Sequence, residues 1–129
     1  MDITTVLEQQ EAFESGRSAT MEEIFKAEEA LTVTFAEEYR FYLQKYGWAS
    51  CKNHIFTGIS PFAGIDVVTV TKKTRKRQPQ VPHEYYVIEE TQMDGIVIWQ
   101  SNDGTIYACN PSSQHLKIAE SFAEYIAQQ

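Results

Sequence analysis

An α+β fold is predicted by three observations. Helix-capping signals bracket the first third of the chain, a pair of strands joined by a tight turn follows in the second half, and a capped amphipathic segment closes it. The expected architecture has N-terminal helices, an antiparallel β-meander covered by helices, and a C-terminal helix. No internal repeat or low-complexity linker divides the 129 residues, so residues 1–129 read as one domain.

Asp2 is a good N-cap, and Ile3, Val6, Leu7 and Phe13 form an interrupted apolar stripe, which predicts a first helix ending at Ser15-Gly16. Thr20 stands three residues before Glu23, and Thr34 three before Glu37. Each pair has the spacing of a capping box, in which hydroxyl and carboxylate satisfy backbone N–H groups at a helix start. Ile24, Ala27 and Leu31 recur at helical spacing, as do Tyr39, Tyr42, Leu43 and Tyr46, and Gly47 is placed to end the third helix. Residues 48–64 are irregular apart from a possible short strand over 55–59.

Residues 66–77 send mixed signals. Val67, Val68, Thr69, Val70 and Thr71 have strand propensity, yet Asp66 can cap a helix that puts Val67, Val68 and Thr71 on one face. Pro79 and Pro82 stop either element. Strands are then expected over 85–90, 96–100 and 105–109, with Asn102-Asp103-Gly104 as a hairpin turn. The second strand is apolar on both faces, so both faces of the meander need cover. Ser121 with Glu124 is a third capping box, and Phe122, Tyr125 and Ile126 seat the last helix.

The acidic second helix, the Leu-x-Val-x-Phe corner from Leu31 to Phe35, and Glu-Glu-Tyr-Arg-x-Tyr-Leu-x-x-Tyr-Gly from Glu37 to Gly47 resemble the opening signature of the SUKH superfamily. D-V-V-T-V-T-K-K-T-R-K-R, Y-Y-V-I-E-E, D-G-I-V-I-W-Q-S-N-D-G-T-I-Y and S-F-A-E-Y-I follow in that family's order, from Met21 to Ile126 in all. One departure is Ala36, where the family usually carries proline. The resemblance favours helix over 66–77. It implies a protein that binds another protein, because the superfamily includes fungal cell-wall-assembly regulators and bacterial immunity proteins that block a cognate toxin domain, often a nuclease. An antitoxin acting on such a toxin is the first implication, and a regulatory or scaffolding module is the alternative.

Charge suits a basic partner. The net charge is −7, with ten acids and four bases in residues 1–50 and seven acids and one base in residues 78–129. Residues 51–77 reverse this, with one acid and six bases. The acidic excess argues against phosphate-backbone binding and favours encounter with a cationic surface. No apolar run is long enough to span a membrane, and the N-terminus has no secretory pattern. With Cys51 and Cys109 alone, no disulfide framework is expected, and a cytoplasmic setting follows.

No reaction chemistry is legible. Cys51 and His54 have C-x-x-H spacing, but their conceivable partners Cys109 and His115 stand too far apart for a structural zinc site. Neither an orienting third group for a Cys51–His54 nucleophile nor a glycine-rich phosphate loop can be assembled. No metal or cofactor is expected. Glu22-Glu23, Glu28-Glu29 and Glu37-Glu38 read as solvated helix faces. The basic island of Lys72, Lys73, Arg75, Lys76 and Arg77 lacks interleaved aromatics and reads as a helix end paired with carboxylates. Glu89, Glu90, Asp94 and Asp103 stand at strand ends and turns, where they could line one acidic edge of the sheet. With Trp99 as an aromatic anchor, they are the candidate partner-binding residues.

Overall fold

Residues 2–129 are described by a computed structural model. Asp2 caps helix α1 (Ile3–Glu8) by accepting from Thr4 N. The helix is shorter than its apolar stripe suggests. Ala12 takes a positive φ of 61°, which reverses the chain, and Phe13 instead packs edge-on against Tyr46. Strand β1 (Glu14–Ser15) follows.

Helix α2 (Met21–Leu31) carries the complete Thr20–Glu23 capping box. Helix α3 (Glu37–Tyr46) does not use the second one expected. Its N-cap is Ala36, with no side-chain cap, because tertiary partners take over. Phe35 N–H donates to the Glu28 carboxylate at 2.7 Å, and Ala36 N–H donates to the Tyr86 hydroxyl at 2.9 Å. A proline at position 36 has no N–H to make the second bond.

Gly47 ends α3 at φ 74°. A Cβ there would collide with the Arg17 carbonyl oxygen, and a Cβ on Gly58 would collide with that of Gly47. The two glycines thus let the chain leaving α3 cross the segment after the β2 (Ala49–Cys51) and β3 (His54–Phe56) hairpin at backbone distance. Strands β1, β2 and β3 form a three-stranded antiparallel sheet. Only its last strand overlaps the one expected from sequence.

Helix α4 (Val67–Arg77) settles the ambiguous segment as helix, capped by the Asp66 side chain. Its buried face is Val67, Val70, Thr71 and Thr74, so the expected Val67 and Thr71 are on it while Val68 is only half-buried. Strands β4 (Tyr86–Glu90), β5 (Val97–Gln100), β6 (Ile106–Cys109) and β7 (Leu116–Ala119) form a four-stranded antiparallel meander in chain order. Strand β7 has no counterpart in the sequence reading: its four residues include exposed Leu116 and Lys117, so period-two alternation is absent. Helix α5 (Phe122–Ala127) begins at Ser121, whose hydroxyl accepts from Glu124 N. The fold is α+β.

Both faces of the meander are covered. Tyr86, Ile88, Ile98 and Ile106 pack against α1, α2, α3 and α5 around Tyr39, Tyr42, Phe56 and Phe122. Burying each such phenylalanine contributes about 2–3 kcal/mol. Val87, Val97, Trp99 and Cys109 form a smaller core on the other face with Val70 and Val81. Trp99 is fully buried there and donates from Nε1 to Gln78 Oε1 at 3.0 Å.

Two carboxylates expected on solvated helix faces are tied into the fold, Glu28 buried and Glu38 half-buried. Glu28 is 8% exposed and holds Arg40 through both oxygens. Glu38 accepts from Phe122 N, Ala123 N and Gln100 Nε2, tying α3 to the first turn of α5 and to β5.

Candidate partner-binding cleft

Strand β3 meets the outer edge of β4 at Thr57, which donates from N to the Ile88 carbonyl at 2.8 Å and from Oγ1 to that of Val87 at 2.7 Å. Toward the hairpin tip, side chains replace backbone contacts, and a cleft of about 490 Å³ opens between hairpin and strand end. Glu14, Glu89 and Glu90 bring carboxylates to it, and Ile55, Ile65 and Gly64 form apolar wall. Three of its other lining residues, Ala12, Asn53 and Gln92, take positive φ values of 61°, 68° and 63°. Non-glycine residues adopt that conformation rarely, and such strain gathers at functional sites.

Glu89 is the buried anchor of the cleft, 3% exposed. Its Oε2 lies 2.8 Å from His54 Nδ1, and its Oε1 accepts from the Tyr125 hydroxyl at 2.6 Å. Burial and the Glu89 charge push the Tyr125 phenol well above its usual range. His54 is thus given the third group that the sequence did not reveal. Cys51, paired with His54 across the hairpin, is nevertheless a poor nucleophile. Burial first, and then the Glu89 charge, raise its thiol pKa and disfavour the thiolate. Cys109 packs in the smaller core and His115 against Tyr85 and Tyr107, so the four residues weighed as a zinc set are not gathered.

The expected acidic edge is split. Glu90 is beside Glu89, with its Oε2 held by Arg77 at 3.1 Å and Lys73 at 3.6 Å. Asp94 is exposed in the β4–β5 turn at φ 54°. Asp103 lies at the opposite end of the sheet, because β5 runs antiparallel to β4 and the β5–β6 turn starts from its far end. There it borders a second hollow with Glu37, Glu38 and Glu120. The Ser101 hydroxyl and Thr105 N–H hold its carboxyl below the usual range. Trp99, in the core, presents nothing to a partner. Tyr86 is likewise fully buried.

Three residues of the basic island are tied into the fold, while Lys72 and Lys76 are exposed. Besides the contacts of Lys73 and Arg77, Arg75 donates to the carbonyls of Leu31 and His83. Sequence reasoning missed the exposed apolar residues instead. Ile55, 55% exposed, lines the cleft, and Phe62 and Met93, 64% and 65% exposed, stand within two residues of lining positions. Phe62 in the irregular Pro61–Gly64 loop, with no periodic apolar neighbours, was the one available signal. A second apolar group, Met21, Phe25 and Phe41, lies on α2 and α3.

The fold is an α+β domain whose cleft combines three carboxylates with exposed Ile55. The chain belongs to the SUKH family: the SUKH_5 family model, described as SMI1-KNR4 cell-wall, matches residues 3–129. No curated protein matches it. Family membership points to a protein-interaction role, and no helix among the described residues is long and apolar enough to cross a membrane.

Proposed function

We propose that this chain is an immunity protein of the cytoplasm that binds and neutralises a cognate toxin domain, a basic nuclease, without itself catalysing a reaction. The carrying observation is the cleft, where the carboxylates of Glu14, Glu89 and Glu90 meet the solvent-exposed apolar side chain of Ile55. Apolar side chains left in water at a concave site gain by being covered. Net charge −7 draws a cationic partner to them. The raised Cys51 thiol and the full engagement of Glu89 favour binding over chemistry.

Protection against an enzyme toxic at a few copies requires a Kd of about 1 nM, or about −12 kcal/mol. That affinity fits an interface of about 1,600 Å² in total with a few anchors. Co-expression with nuclease toxin domains, scored by survival, tests the reading: one domain of the panel is expected to be silenced. Its association rate with the purified chain should fall about tenfold or more between low and high salt. Survival against none of the toxins, with signalling proteins recovered instead in a pull-down, would favour a regulatory or scaffolding module.

A further inference from the structure

We propose that the β3–β4 cleft is a receptor for one arginine or lysine side chain of the partner, presented on a loop with apolar neighbours. The assignment rests on the partner-binding reading above and names the chemistry that fills its site. Volume, charge and the exposed apolar wall residue Ile55 each point to this occupant. A cavity of about 490 Å³ exceeds what water alone would need and accommodates one long side chain. The groups facing it are Glu14, Glu89, Glu90 and His54, while Arg77 and Lys73 approach Glu90.

Those two cations offset Glu90 through its Oε2 and leave Oε1 without a described partner. Glu14, exposed on β1, makes no ion pair with any described residue. Glu89 is held rigid by His54 and Tyr125. The cleft therefore keeps an uncompensated negative charge at its mouth and a fixed one at its floor. A guanidinium matches carboxylates arranged around a slot better than a neutral amide does. Ile55 is an exposed apolar wall of the cavity, and exposed Phe62 and Met93 are within two residues of lining Gly64 and Gln92 in the chain. A loop carrying apolar side chains beside its cation covers Ile55 while the cation meets the carboxylates.

The probe is a blocked Leu-Arg-Leu tripeptide titrated into the full chain and followed by amide chemical shifts. Its control is the same peptide with citrulline, which keeps the shape and loses the charge. Shifts are expected at Asn53, Ile55, Thr91 and Gln92, with the citrulline peptide weaker by about tenfold. Glu14→Gln, at the exposed β1, and Glu90→Gln, half-buried but outside the His54–Glu89–Tyr125 network, should each weaken the arginine peptide by about threefold or more. Phe25→Ser on α2 should leave it unchanged. Equal shifts from both peptides, or shifts centred on α2 and α3, would overturn the assignment. Peptide binding in the cleft without any silenced toxin would keep this assignment and defeat the immunity reading. A silenced toxin whose binding is indifferent to Glu14→Gln and Glu90→Gln would do the reverse.

Discussion

Glu37 and Glu38 are neighbours on α3 with opposite fates. Glu37 faces solvent, whereas Glu38 accepts two N–H groups of α5 and the amide of Gln100. Glu38→Ala leaves three donors without their acceptor and should cost about 3 kcal/mol in urea unfolding. Glu37→Ala should stay within about 0.5 kcal/mol. Equal effects of the two would show that the Glu38 contacts carry no stability. Sequence alone treats the pair alike, since both occupy a helical first turn and adjacent acids look equally solvated. The difference arises from a partner 84 residues away in the chain, which no local pattern encodes. The same holds for Glu28, whose acceptor role at Phe35 N depends on how the α2–α3 corner closes.

Elements with self-contained signals were readable. Thr20–Glu23, Asp66 and Ser121 each cap the helix they were expected to cap through bonds spanning three residues, whereas Thr34–Glu37, of equal span, yields to tertiary partners. Strands β1, β2 and β7 were not readable. They are two to four residues long, and tertiary neighbours rather than alternation fix them. The cleft inherits this limit. Its carboxylates Glu89 and Glu90 were picked out from the strand end, but Glu14 and Ile55 belong to a sheet whose existence depends on the crossing at Gly47 and Gly58. Gly58→Ala forces a methyl group into the Gly47 carbonyl and should cost about 3 kcal/mol, read by chemical denaturation. Gly64→Ala, where a Cβ meets open space, is the matched control and should be near neutral. Similar midpoints for the two variants would mean that the crossing is looser than its geometry.

The whole molecule is organised around phenols. Tyr39, Tyr42 and Tyr86 are fully buried, and burial pushes each pKa well above the usual value of 10. Tyr46 is pushed up to about 12 by burial and by its bond to Glu8. A group whose folded-state pKa is raised keeps its stabilising share below the unfolded value and loses it as pH climbs toward the folded one. Stability should therefore be intact below about pH 10 and drain away above it, ending in one cooperative alkaline transition. Tyrosinate absorbance and circular dichroism, followed together against pH, should change in the same step. Absorbance rising gradually while the dichroism holds would contradict this. The double latch on α5, by Glu38 at its start and Glu89 through Tyr125, has a consequence for synthesis. Translation delivers α5 after every surface it must clasp, so a nascent polypeptide that still lacks this helix has an open interior.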